Sequence, residues 1–226
     1  MVIKFSKNEM QKTSKNINKI LKDGKGYPQN VTMKDLNGKT HKLSKAQYMG
    51  LFEAQNVFLI KHGRFPNYTS LLSQASNPLV MDFQNTAYNC CPTSVSMASQ
   101  LLFNYHSEQE CVKALGTVQG SGTTPNKLMN NIGKLGFTAS IIPRNYSSVK
   151  KSIDKAFPVV AHIQTRNATC LGYTGDYGHY ILIYGYTKDG YYKIADPTKS
   201  LKTCKPSIID NATNGRSIHY YSIKPK

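Results

Sequence analysis

Gln84-Asn85-Thr86-Ala87-Tyr88-Asn89-Cys90-Cys91-Pro92-Thr93-Ser94 puts a thiol at the mouth of a predicted helix, with a side-chain amide six residues upstream. Downstream, Val95, Met97, Ala98, Leu101, Leu102 and Tyr105 recur at helical spacing. Pro92 suits the first turn, where a missing N–H leaves nothing unpaired. The pattern therefore predicts Cys90 just ahead of a helix N-terminus. An unperturbed thiol has a pKa of about 8.5 and is only a few per cent ionised near neutrality. A helix N-terminus and a cationic histidine both favour the thiolate, so the position suits a nucleophile. Local pattern alone more often signals a small buried hydrophobe, and the rest of the chain has to decide.

The deciding segment is Gly178-His179-Tyr180-Ile181-Leu182-Ile183-Tyr184-Gly185-Tyr186, an apolar, β-branched and aromatic run that reads as a strand. Thr187-Lys188-Asp189-Gly190 then gives a turn, and Tyr191 to Asp196 a second strand. With a four-residue connection Tyr186 faces Tyr191, which sets Asp196 opposite Ile181 and on the same face as His179. Such diagonal neighbours lie roughly 7 to 8 Å apart, within reach of an imidazole and a carboxylate that turn toward each other. Asp196 precedes Pro197, where the strand must stop and its side chain can leave the ladder. Without Cys90, the pair would read as an ordinary strand histidine and a solvated turn carboxylate.

A cysteine on a helix followed by a histidine and an acid on adjacent strands resembles the papain-like peptidases. Gln84, Cys90-Cys91-Pro92-Thr93-Ser94, Gly178-His179-Tyr180 and Ala195-Asp196-Pro197 are similar to the catalytic blocks of the bacteriocin-leader peptidase group and its relatives. Within that group the chain most resembles the pseudomurein endoisopeptidases of methanogen viruses. The resemblance implies that Cys90 is the nucleophile, His179 the general base and then acid, Asp196 the group that orients the imidazole, and Gln84 an oxyanion-hole donor. One position departs from the family pattern of Cys-Gly-Pro, because Cys91 stands where the glycine is usual. The spacing from Gln84 and to Pro92 keeps Cys90 in the family register and leaves Cys91 to packing.

Laid over itself with a shift of 38 residues, the first third of the chain repeats. Ser6-Lys7 falls on Ser44-Lys45, Asn18 on Asn56, Leu21 on Leu59 and Tyr27-Pro28 on Phe65-Pro66, so each copy reads as a helix followed by an aromatic-proline stop. The second copy, through Phe58 and Gly63-Arg64-Phe65-Pro66-Asn67-Tyr68-Thr69, resembles the pseudomurein-binding repeat that accompanies these enzymes. That resemblance nominates Phe65, Pro66 and Tyr68 for wall contact. The first copy has a thinner apolar stripe, Ile17, Ile20 and Leu21, and reads as degenerate. The competing reading is two unrelated helices that each end at a proline.

Charge agrees with a wall-binding role. The formal net charge is +17, and residues 1–75 hold 13 Lys or Arg against 4 Asp or Glu. Such a field attracts anionic polymers, whether nucleic acid, anionic lipid or an acidic wall. No nucleic-acid reading motif is present, and the lysines are scattered rather than gathered into a stripe. With 226 residues and 39% hydrophobic content, the chain can build one moderate core plus a small appended unit, and no stretch approaches a membrane span. The opening Met1-Val2-Ile3-Lys4-Phe5-Ser6-Lys7-Asn8 has no apolar signal core, so synthesis in the host cytoplasm without a signal peptide is expected. The resemblance then implies action at the methanogen wall after release by lysis.

Five cysteines, odd in number and unevenly spaced, argue against a complete disulfide framework. Cys111, Cys170 and Cys204 lack the paired spacing of a zinc site and read as core thiols, with Cys170 and Cys204 a pair that could bridge. No metal ligand set or cofactor is expected, no strong acidic calcium loop is visible, and a structural divalent cation such as calcium is left open. Ser107 with Glu110 makes a capping-box start for a helix through Leu115, and Thr124-Pro125 starts another running to about Leu135. Thr138 to Ile142 and Pro158 to Gln164 read as strands, the second central, with His162 a core histidine. The polar segment Thr165 to Gly178 reads either as a surface loop or as a cleft loop in which Tyr173, Asp176 and Tyr177 contact substrate.

The expectation is therefore an α+β protein, with a papain-like cysteine peptidase core (cysteine helix on an antiparallel sheet, residues 76–226) and a small N-terminal helical wall-binding domain (residues 1–75). Its expected reaction is hydrolysis of the Ala-Lys isopeptide crosslinks of pseudomurein through a thioester, by a monomer whose partner is the wall polymer rather than nucleic acid or membrane. Three alternatives stand beside it: a leader-cleaving maturation peptidase, a non-catalytic wall-binding protein and a nucleic-acid-binding protein.

Overall fold

A computed structural model describes residues 2–212 and 219–226. The first copy of the repeat is a strand, a helix and a strand: β1 (Lys4–Ser6), α1 (Lys7–Lys22) and β2 (Asn30–Lys34). The second copy follows as β3 (Thr40–Ser44), α2 (Lys45–His62) and β4 (Tyr68–Ser70). Both helices start the same way, because Ser6 Oγ accepts from the Glu9 N–H and Ser44 Oγ from the Gln47 N–H, each satisfying a first-turn amide. The 38-residue shift also survives in the pairing. β1 pairs antiparallel with β4, Lys4 opposite Ser70, and β2 with β3, Thr32 opposite Lys42, so the shift carries each ladder onto the other. The unit is thus a pseudo-two-fold exchange of strands between two copies. Met10, Ile17 and Leu21 fall on Tyr48, Gln55 and Leu59, and all six are buried. The four strands were not expected from the sequence, which showed only the helices.

After a linking stretch come α3 (Cys90–Leu101), α4 (Glu108–Leu115), α5 (Pro125–Asn131), β5 (Phe137–Ile142), α6 (Tyr146–Asp154), β6 (Val159–Gln164), β7 (Gly178–Tyr186), β8 (Tyr192–Asp196), β9 (Ser200–Cys204), α7 (Pro206–Asn211) and β10 (Tyr220–Pro225). The Ser107 capping box opens α4, and Thr124 caps α5, which passes into a 3-10 turn at Ile132–Leu135. The six antiparallel strands lie in the order β5-β10-β6-β7-β8-β9, with β6 in the interior. Alternating residues serve the two faces. Val160, Tyr180, Leu182 and Ala195 join a core with α3 and with Phe5, Met10, Leu21 and Phe52 of the N-terminal unit. Ile163, Ile181, Ile183 and Ile194 join a second core with Val149 of α6 and Ile209 of α7.

The hairpin that carries the candidate site differs from the expectation in its turn. Tyr186 pairs with Tyr192 rather than Tyr191, so the connection has one residue more. A bulge between Ile183 and Gly185 absorbs the extra residue, and Leu182 then faces Ala195, as the shorter turn required. α3 is shorter than the apolar spacing suggested. It ends at Leu101, and Phe103 adopts φ 54, which leaves Tyr105 outside the helix. A non-glycine residue in this region costs roughly 1 kcal/mol or more, and Phe103 is held there by aromatic packing, its ring 4.8 Å from that of Phe52.

Candidate active site

Cys90 is the first residue of α3, and Pro92 sits in the first turn as expected. The approach to that helix is fixed by Glu108, whose buried carboxylate accepts from the Asn85 N–H, from Asn89 Nδ2 at 2.6 Å and from Thr93 Oγ1 at 2.8 Å. One carboxylate thus grips the loop before Cys90 and the turn after it. Burial, reinforced by the charge of Glu108, raises nearby Asp82 to about 6. Cys91, one position along, is 0% exposed, and burial pushes its thiol well above the ordinary value. It has the environment of a packing residue, whereas Cys90 is only partly buried.

His179, second in β7, and Asp196, last in β8, end up at the same end of the sheet with Nε2 and Oδ1 3.0 Å apart. The carboxylate has 0% exposure, and four further donor contacts converge on it. Thr198 supplies its backbone N–H and its hydroxyl, both at 3.0 Å from Oδ1, and the Tyr173 hydroxyl lies 2.8 Å from each oxygen. Burial alone pushes the Asp196 carboxyl up, but His179 first, then Thr198 and Tyr173, hold it below its usual value. Asp196 is therefore a fixed anion.

With Nε2 committed to Asp196, the other ring nitrogen of His179 is left for Cys90. Burial pulls the imidazole down, yet the hydrogen bonds and charges of Asp196 and Cys90 outweigh it and raise His179 to about 9. An imidazolium held between a carboxylate and a thiol can stabilise a thiolate and then return a proton to a leaving amine. The same shift has a stability consequence. His179 contributes fully below its unfolded value of 6.5, and that contribution is lost as pH rises through about 9. The melting temperature of the native chain is expected to fall more steeply between these pH values than that of His179→Gln, and equal slopes would contradict it.

Gln84 lies in the loop before α3, its backbone N–H donating to the Pro197 carbonyl at 3.1 Å, which ties it beside Asp196. Its side-chain amide donates to the Thr86 carbonyl at 2.7 Å. Of the three loop residues nominated for substrate contact, two have other partners. Tyr173 is a correction, since its hydroxyl is turned onto Asp196 and Thr198 and lies 2.9 Å from His179 Nε2. Burial, the leading cause, and the Asp196 charge push the Tyr173 phenol up, so it stays a donor. Asp176 accepts from Gln164, which ties the loop to β6, and stays exposed. Tyr177, 46% exposed, has its ring centroid 6.4 Å from that of His179.

The loop is anchored at its base by a disulfide between Cys170 and Cys204 of β9, the pair left open by the sequence. Cys111 is a buried free thiol, and His162 stacks on Tyr180 at 4.3 Å. In the N-terminal unit, Tyr68 is exposed beneath the Lys4 ammonium at 4.6 Å, and Phe65 lines a cavity. Pro66 is buried, which corrects its nomination for wall contact: it packs. Among the described residues no cluster of three His, Cys, Asp or Glu could hold a metal ion, and no helix is long and apolar enough to cross a membrane.

Sequence reasoning missed Tyr173 as a partner of Asp196, and it missed Thr198 and Glu108 altogether. Thr198 had a signal, because Asp-Pro-Thr invites an Asx turn in which the carboxylate takes the N–H two residues on. A hydrogen bond to a charged group contributes about 1.5–3 kcal/mol, so Tyr173→Phe is expected to lower kcat by about tenfold or more. KM should change little, and an unaltered kcat would show that the hydroxyl positions nothing.

No curated protein sequence matches the chain. Among the solved structures similar to the chain are two at 17% identity. The peptidase domain of Streptococcus ComA, a bi-functional ABC transporter involved in quorum sensing, is covered to 98% by 65% of this chain with a TM-score of 0.51. A double glycine motif protease from an AMS/PCAT transporter, solved with its leader peptide, is covered to 92% by 66% of this chain with a TM-score of 0.49. Likeness at this identity concerns the fold, which is that of papain-like peptidase domains. The Peptidase_C39 like family matches residues 67–224, from the end of the N-terminal unit through β10. With most of its length inside that match, and with a cysteine, a histidine and an aspartate meeting at one end of its sheet, the chain belongs to the Peptidase_C39 like family of cysteine peptidases.

Proposed function

We propose that this cysteine peptidase lyses archaeal walls by opening the Ala-Lys isopeptide crosslinks of pseudomurein. In this reading Cys90 attacks the scissile carbonyl as a thiolate, and Gln84 with the Cys90 N–H receives the developing oxyanion. His179 protonates the departing lysine amine, then deprotonates the water that hydrolyses the thioester, and Asp196 holds the ring throughout. The observation that carries the wall assignment is the duplicated unit of residues 4–70, which lies almost entirely outside the peptidase match and whose second copy resembles a pseudomurein-binding repeat. Its excess of Lys and Arg over Asp and Glu suits a polymer with free carboxylates.

A second reading is cleavage of a leader from a precursor peptide. Family and fold lean toward it, since the ComA peptidase domain comes from a bi-functional transporter. The duplicated N-terminal unit is what it leaves unexplained. Incubation of the reduced protein with isolated pseudomurein sacculi, and separately with a precursor bearing a double-glycine leader, separates the two. New primary amines from the sacculi alone support wall lysis. Cleavage of the precursor with inert sacculi would replace it by the second reading.

A further inference from the structure

The two copies of the N-terminal unit are used differently. In the first, the Asn18 amide donates to the Leu102 carbonyl at 2.7 Å and the Tyr27 hydroxyl to the Leu101 carbonyl at 3.0 Å, while Ser14 binds the Phe103 carbonyl. This copy grips the peptide backbone that follows the cysteine helix. In the second, Asn56 likewise holds a backbone carbonyl, that of Pro78 at 2.8 Å, but Phe65 stands where Tyr27 stood and has no hydroxyl to extend. Beside it lies a cavity of about 210 Å³, lined by Phe65, Gln55 and Asn56 of this copy, by Gln11 and Lys15 of α1, and by Tyr105 after α3, among others.

Gln55 is the informative wall of that cavity. The repeat shift carries Ile17, buried and apolar, onto Gln55, which is only 5% exposed and has no side-chain hydrogen-bond partner among the described residues. Its amide, which meets no protein partner, is open only to the cavity, and an apolar residue would pack this position as Ile17 packs its own. At the rim Lys15 is exposed and has no ion-pair partner among the described residues. The volume lies below the roughly 300 to 1,000 Å³ of pockets for drug-sized ligands, which fits one or two small residues.

We propose that the cavity between the second copy and α1 binds a short external peptide carrying a free carboxylate, with Gln55 bonding its amide, Phe65 covering its side chain and Lys15 of α1 meeting the carboxylate. The first copy serves as an internal dock, so the unit has one ligand site rather than two. Only the source of the peptide, a wall stem, rests on the proposed function.

The test is an NMR titration of the full-length Cys90→Ala chain, which cannot cut the probe, with N-acetyl-Ala-Ala and with the same dipeptide amidated at its C-terminus. Saturable shifts at Gln55, Asn56 and Phe65 are expected, with the amide binding about threefold more weakly, as befits an exposed ion pair. Gln55→Ile in the same chain should melt no lower and should lose most of the binding. Absence of saturable shifts at the cavity, shifts confined to the surroundings of His179, or undiminished binding by Gln55→Ile would each overturn the proposal. Sacculi and an intact Cys90 play no part in the titration, so failure of the wall-lysis reading would not decide it.

Discussion

Cys90→Ala is expected to lower turnover by about 10,000-fold or more on whichever substrate the native chain cuts, because removing the nucleophile leaves only binding and oxyanion stabilisation. Cys91→Ala, at the family's glycine position, should keep most of the rate. Its thiol is fully buried, and burial opposes the thiolate that attack requires. The cost of Cys91→Ala falls on packing instead, through the small cavity it leaves. Comparable losses in both variants would mean that adjacent cysteines share the role. Loss in Cys91→Ala alone would transfer it and displace His179 from the mechanism.

Asp196→Ala is expected to cost about 100- to 10,000-fold in kcat, the range set by losing general acid–base function. The carboxylate is more than a partner of His179. It accepts from Tyr173 and Thr198 as well, and its removal strands these donors at a buried position. The imidazolium loses the anion that helps raise it to about 9, so the upper pH limit of activity should move down. Measuring kcat/KM against pH for the native chain and Asp196→Ala checks both the fall and its direction. An unchanged upper limit would mean that Cys90 alone sustains the imidazolium.

Much of the peptidase half was legible because its signals are local. Ser107 and Glu110 name a capping box within four residues, and the β7 run declares a strand by composition alone. The His179–Asp196 juxtaposition also followed from the sequence, although by compensation, since the longer turn and the bulge cancel. The small strands of the N-terminal unit were invisible. Three residues cannot display a period, and Lys4–Ser6 becomes a strand only because Tyr68–Ser70, far along the chain, lies beside it. Tyr173 was hidden for a similar reason. In sequence it is one tyrosine in a polar loop, and only the Cys170–Cys204 tether and the Asp-Pro-Thr turn bring its hydroxyl to Asp196.

The central claim is that His179 activates Cys90, and it can be tested without knowing the substrate. Native protein treated at neutral pH with one equivalent of iodoacetamide, then digested and read by mass spectrometry, should carry the label on Cys90, with Cys91 and Cys111 unmodified. The rate of labelling should fall sharply in His179→Ala, because the imidazole that takes the thiol proton is gone. Labelling of Cys91 or Cys111 ahead of Cys90, or a Cys90 rate indifferent to His179, would contradict the account.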